Sequence, residues 1–170
     1  MNPGRFLAVG LALAALMAGL FMFLNSRNRP RLEGAILNVR HVATDTKAHV
    51  VILDVRISNP GRTLFMVRDV VVVMEDSAGV LLEADAAAEP DIDRLLGYFK
   101  MLGPRYNPTL KSRERIAPGE TRDFTIAGAF AVTEQELAQR RSLYVRVVDV
   151  DGAAVEIRPR SPDKLTPRGK

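Results

Sequence analysis

Phe6 to Leu24 reads FLAVGLALAALMAGLFMFL, nineteen residues without a charge. At about 1.5 Å of helical rise per residue such a run nearly spans a hydrocarbon core of ~30 Å. It predicts a single transmembrane helix at the amino terminus. A cleaved signal peptide is the rival, but its apolar stretch is usually ~7–15 residues long and ends in a small-residue site. Here Phe21, Met22, Phe23 and Leu24 follow the small residues instead, which favours an uncleaved anchor. The partner implied by this segment is the lipid bilayer.

The flanks give conflicting signals on orientation. Arg27, Arg29 and Arg31 lie just beyond the run, and the bias of cytoplasmic flanks toward Lys and Arg then argues for a cytoplasmic domain. The short leader MNPGR ahead of the run has the form of a signal-anchor whose following domain is exported. The expectation adopted is a single-pass cell-membrane protein with its domain on the periplasmic or extracellular side.

Removing the anchor and stalk (residues 1–31) and a Pro-rich polar tail (residues 159–170, expected to be disordered) leaves one domain over residues 32–158, enough chain for one core. The whole chain's 24 Lys and Arg against 20 Asp and Glu give a formal charge of +4. The basic residues are interspersed with acids rather than gathered in a stripe with aromatics, which argues against nucleic acid. With no cysteine in the chain, disulfides, thiolate zinc sites and thiol nucleophiles are excluded.

Within the domain the hydrophobic period is two. Val51, Leu53, Val55 and Ile57 alternate with Asp54, Arg56 and Ser58, the pattern of a half-buried strand. Asn59-Pro60-Gly61 breaks it, and a β-branched run through Val70 to Val73 follows before the Asp76–Gly79 turn into Val80-Leu81-Leu82. Ile92, Leu95, Leu96 and Phe99 then fall at helical spacing behind Pro90, predicting one short inserted helix ended by Gly103-Pro104. After Arg115-Ile116 and the Pro118-Gly119 turn, Phe124, Ile126 and Phe130 alternate again. Thr133 and Glu136 form a capping box. Leu143, Val145 and Val147 pair with Val155 and Ile157 around a predicted two-residue Asp151-Gly152 turn.

Seven or eight short strands with no repeated βα unit predict a mostly β fold: an immunoglobulin-like antiparallel β-sandwich with one inserted helix, behind the transmembrane helix. An open barrel is the alternative. The punctuation Asn59-Pro60, Asp76 to Gly79, Ile116-Ala117-Pro118-Gly119-Glu120-Thr121 and the final strand pair resembles that of bacterial membrane-anchored immunoglobulin-like domains of unknown function. More distantly, it is similar to the late-embryogenesis-abundant type 2 domain. The first resemblance implies fold and no activity; the second implies a stress-protective role.

A search for chemistry finds little. His41 and His49 stand in no Ser- or Glu-containing motif, so no catalytic residue is assigned and the chain is not expected to be an enzyme. The acidic stretch Glu83, Asp85, Glu89, Asp91 and Asp93 lacks the offsets and glycine of a calcium loop, so no metal or other cofactor is assigned; a loop-carboxylate metal-binding or enzymatic domain is the alternative. Tyr98, Arg105 and Tyr106 cluster away from strand alternation in the long segment Glu83 to Arg113, and are the candidate partner-binding residues. The segment is expected to cover a sheet edge while presenting these three outward. The functional expectation is a membrane-tethered, non-catalytic binding or assembly module whose partner is another protein.

Overall fold

The computed structural model describes residues 13–21 and 31–160. Residues 13–21 are helical (α1). No helix among the described residues is long and apolar enough to cross a membrane. The remainder of the Phe6–Leu24 run, most of the stalk and residues 161–170 of the expected disordered tail lie outside the described residues.

The domain is mostly β. Its eight strands are β1 (Glu33–Asp45), β2 (Ala48–Ser58), β3 (Phe65–Glu75), β4 (Leu81–Asp85), β5 (Arg115–Ile116), β6 (Thr121–Phe130), β7 (Ser142–Asp149) and β8 (Ala154–Ile157). Two short helices, α2 (Glu89–Tyr98) and α3 (Glu134–Ala138), and a 3-10 turn (Lys100–Leu102) interrupt them. Every ladder is antiparallel. One sheet has the order β1-β2-β6 and the other β4-β3-β7-β8, with β5 on the start of β3.

Inward side chains of both sheets meet in one core. Val51, Leu53, Val55 and Ile57 of β2 and Phe124 and Ile126 of β6 share it with Val72 and Met74 of β3 and Val145 and Val147 of β7. Alternation in sequence thus becomes alternation in burial, as the pleat requires. Single backbone bonds tie the sheets at both edges. On one side Ala86 N–H, prolonging β4 along β3, donates to Val70 O at 3.1 Å, and the next amide, Ala87 N–H, crosses to Ala127 O of the other sheet at 2.8 Å; on the other side Ile36 N–H donates to Arg158 O at 3.1 Å. Pro159, the first residue of the expected disordered tail, is accordingly bridged to Ile36 of β1.

The turns follow their residues. Asn59 is wholly buried; its Nδ2 donates to Thr63 O and Ile116 O, both at 2.9 Å, and its Oδ1 accepts from Gly61 N–H at 2.9 Å. That side chain locks the Asn59-Pro60-Gly61 turn onto the β5–β6 connection. The capping box forms as expected, with Thr133 Oγ1 accepting from Glu136 N–H at 3.3 Å and Glu136 accepting from Thr133 N–H at 2.7 Å. Glu136 is consequently held below the usual carboxylate range, chiefly by that backbone N–H. The β7–β8 loop differs from the two-residue expectation: strands end at Asp149 and resume at Ala154. Buried Asp149 sets the longer loop, because its Oδ2 accepts from Asp151 N–H at 2.9 Å and its Oδ1 from Met66 N–H at 2.8 Å.

Candidate interaction surface

The three-stranded sheet is covered on its second face as well. Val50 and Ile52 of β2, Val42 of β1 and Ala127 of β6 turn away from the main core and pack with Ile92 and Leu96 of α2 and with Leu102. Leu95 and Phe99 are partly buried against this second cluster. The inserted segment therefore covers a sheet face rather than the sheet edge anticipated from sequence. The cause is the row Val42, Val50, Ile52 and Ala127, an apolar strip that needs burial.

One ion pair fastens the insertion. Asp54 sits on the same outward face of β2, almost fully buried, and Arg40 of β1 reaches it through Nη2 at 3.1 and 3.0 Å to the two carboxylate oxygens. Asp54 also accepts from Thr125 Oγ1 at 2.9 Å and from Asn38 Nδ2 at 3.4 Å. The other arm of Arg40 donates to Leu102 O at 2.6 Å and Pro104 O at 3.0 Å. A buried carboxylate thus fixes a guanidinium that in turn grips the backbone of the loop after α2.

On this fastened platform the sequence-derived site residues separate. Tyr98 and Tyr106 are exposed, at 81% and 64%, and Met101 between them is 83% exposed. The Tyr106 ring lies under the Arg40 guanidinium, 5.0 Å from its carbon, and Tyr98 meets Phe99 edge-on at 4.8 Å. Arg105 is not presented outward with them. It ion-pairs with Glu89 and, at 3.4 Å, with Asp93, and Lys111 adds a second cation to Glu89 at 3.0 Å. These two cations, Arg105 first, hold the Glu89 carboxyl below its usual range. Arg105 turns inward because the acidic start of α2 outcompetes water for a guanidinium. Met101, which is not one of the three candidate residues, stands exposed with the two tyrosines.

The acidic stretch is largely neutralised by these contacts: Glu83 pairs with Arg146 at 2.7 Å and Asp91 with Arg94 at 3.3 Å. Among the described residues no group of three or more His, Cys, Asp or Glu is placed to hold a metal ion. Beside the stretch, a cleft of about 820 Å³ opens between β3, the strand-to-helix link at Asp85 to Pro90 and the loop at Thr109 to Ser112. His41 and His49 lie with ring centroids 6.2 Å apart. His49 is buried with Nδ1 at 2.9 Å from Val132 O. His41 is shifted below the ordinary histidine value by burial, with further lowering from His49 and Arg140 and an opposing pull from Glu134.

No protein-family model and no curated protein matches the chain. Among solved structures, the ApaA protein of Bordetella pertussis is similar over 78% of this chain and 90% of its own, at 16% identity and a TM-score of 0.38. An archaellum periplasmic stator protein, FlaG, from Sulfolobus acidocaldarius is similar over 75% of this chain and 97% of its own, at 15% identity and a TM-score of 0.35. Likeness at that level fixes neither fold family nor activity.

Proposed function

We propose that the chain is a membrane-tethered, non-catalytic binding or assembly module, anchored through Phe6–Leu24 with its domain on the exported side. We also read its two facing sheets as an immunoglobulin-like sandwich, edge-tied by the bonds at Ala87 and Ile36. The observation that carries the binding role is the contrast within the insertion. Its underside is buried and gripped by Arg40, while Tyr98, Met101 and Tyr106 stand in water. Exposed aromatics and methionine on a rigid base match the composition of interface centres.

The anchor is supported by composition and by α1, where Leu13, Leu16, Met17, Leu20 and Phe21 are all exposed among the described residues; an exposed apolar helix suits lipid. The non-catalytic reading is supported by the engagement of Glu83, Glu89, Asp91 and Asp93 in Arg and Lys pairs and of His49 in a backbone contact.

The test is photo-crosslinking of the full chain in native membranes, comparing wild type with Tyr98→Ala/Met101→Ala/Tyr106→Ala. Their exposure predicts that the melting temperature stays within a few degrees, and that the wild-type crosslink to a protein partner disappears. A reproducible crosslink that survives the triple substitution refutes the surface. Digestion of the domain by protease added to spheroplasts is the result expected for export; protection until lysis would place it in the cytoplasm.

A further inference from the structure

We propose that the end of the domain nearest the tether is a docking surface for an anionic membrane leaflet. The proposal rests on the anchor reading above. The chain enters the domain at Arg31 beside the Asn59-Pro60-Gly61 turn, where a Cβ on Gly61 would lie 3.6 Å from Arg31 N. That turn is bonded to the β5–β6 connection, Asn59 N–H to Glu120 O at 2.9 Å and Gly119 N–H to Asn59 O at 2.7 Å. Arg115 of β5 pairs with Met66, whose carbonyl accepts from Val150 N–H at 3.0 Å. One end of the domain therefore gathers Arg31, Arg62 and Arg115 with the exposed Leu64 and Val150.

Among the described residues none of these three arginines has an ion-pair partner. Their neighbours Arg56 and Arg122, by contrast, are paired with Asp123 and Glu114. Of the carboxylates at the same end, Glu114 and Glu120 share Arg122, Asp123 takes Arg56 and buried Asp149 accepts backbone N–H groups, so only the exposed Glu33 and Asp151 stand against the three unpaired arginines. Paired arginines are already satisfied; unpaired ones are available to phosphates, which suit guanidinium geometry.

Tether length decides the partner. Six residues separate Leu24 from Arg31, and a chain extends by at most ~3.6 Å per residue, so this end stays within about 25 Å of the bilayer. The opposite end lies farther by the length of β2, Ala48–Ser58, which is about 33 Å at ~3.3 Å per residue. Against a Debye length of about 8 Å at physiological salt, an anionic surface acts on the near end alone. Each basic side chain there strengthens contact about fivefold, and Leu64 and Val150 add apolar area for the headgroup boundary.

The chain has no cysteine, so Ala117→Cys at the near end and Ser77→Cys in the β3–β4 turn each accept one fluorophore. The full-length chain is reconstituted in nanodiscs of phosphatidylcholine, with or without phosphatidylglycerol, carrying a headgroup-attached quencher. The Ala117→Cys probe should be quenched in the anionic discs, recover in molar salt and stay bright in neutral discs, while the Ser77→Cys probe stays bright throughout. Arg31→Gln/Arg62→Gln/Arg115→Gln should lower the docking equilibrium on the order of 100-fold, and Glu33→Gln/Asp151→Asn should raise it. Equal quenching of the near-end probe in both lipids, or none in either, overturns the docking surface while leaving the anchor standing. A chain that fails to co-migrate with discs in molar salt overturns both.

Discussion

The Arg40–Asp54 pair joins the β1-β2-β6 sheet to the insertion, so cutting it should separate global stability from local order. With side chains 13% and 7% exposed, the pair is buried enough that removing one partner strands the other's charge, a cost of about 3–5 kcal/mol. Arg40→Ala leaves Asp54 with Thr125 and Asn38, and releases the Leu102 and Pro104 carbonyls. Asp54→Ala leaves the guanidinium with those carbonyls and the Tyr106 ring. The double variant Arg40→Met/Asp54→Leu sets apolar side chains beside Val42 and Ile52. It should recover at least half of either single loss, leaving a cost of at most about 1.5–2.5 kcal/mol, because no charge is then stranded. The recovery should not extend to the insertion, because methionine donates nothing to the loop backbone. Urea unfolding gives the global term, and hydrogen exchange at the Leu102 and Gly103 amides, bonded to Phe99 O and Lys100 O, gives the local one. The reasoning is refuted if Arg40→Ala costs under ~1 kcal/mol, or if exchange at those amides is unchanged in the double variant.

Three further outcomes are expected. Asn59→Ala removes three hydrogen bonds at a wholly buried site, about 1 kcal/mol each, and Asn59→Asp should be worse because it aims a carboxylate at the Thr63 and Ile116 carbonyls; denaturant midpoints rank them. Gly128→Ala places a Cβ 3.0 Å from Val72 Cβ and Cγ2 and 3.3 Å from Ala84 Cβ, where β6 faces the other sheet, so overpacking should cost ~1–3 kcal/mol. His41 has a lowered value in the fold, so the unfolded chain binds the extra proton. Its contribution is fully present above about pH 6.5 and is lost as pH falls through the folded value. His41→Gln should flatten that part of the stability–pH curve, measured between neutrality and pH ~5.

Much of the fold was legible because it depends on local chemistry. Period-two alternation located β2, β6 and β7, since the pleat permits no other use of Val51-x-Leu53-x-Val55. The Thr133–Glu136 spacing located α3, and Pro90 marked the first turn of α2. What escaped was set by contacts distant in sequence. Arg105 was assigned to the surface because nothing local reveals Glu89, sixteen positions earlier, as its partner. The edge ties at Ala87 and Ile36 are single bonds between segments that carry no pairing pattern of their own.

The outward face of β2 carried a legible but unused signal. A strand with one wet face should alternate throughout, yet His49-Val50-Val51-Ile52-Leu53 has no polar residue after the histidine until Asp54, and all six are buried. A continuous apolar stretch in an antiparallel sheet implies cover on both faces. The candidate cover in the chain is the segment whose Ile92, Leu95, Leu96 and Phe99 form a single apolar stripe. Placing that stripe on Val50 and Ile52 brings Asp54 beneath the same segment, where an unpaired carboxylate would be costly. A cation from a neighbouring strand is then required, and Arg40, opposite Ile52 in the β1–β2 register, supplies it. From this follows why Tyr98, Met101 and Tyr106 remain outside. The stripe and the Arg40 grip settle which side of the segment is down, and these three residues occupy the side left in water.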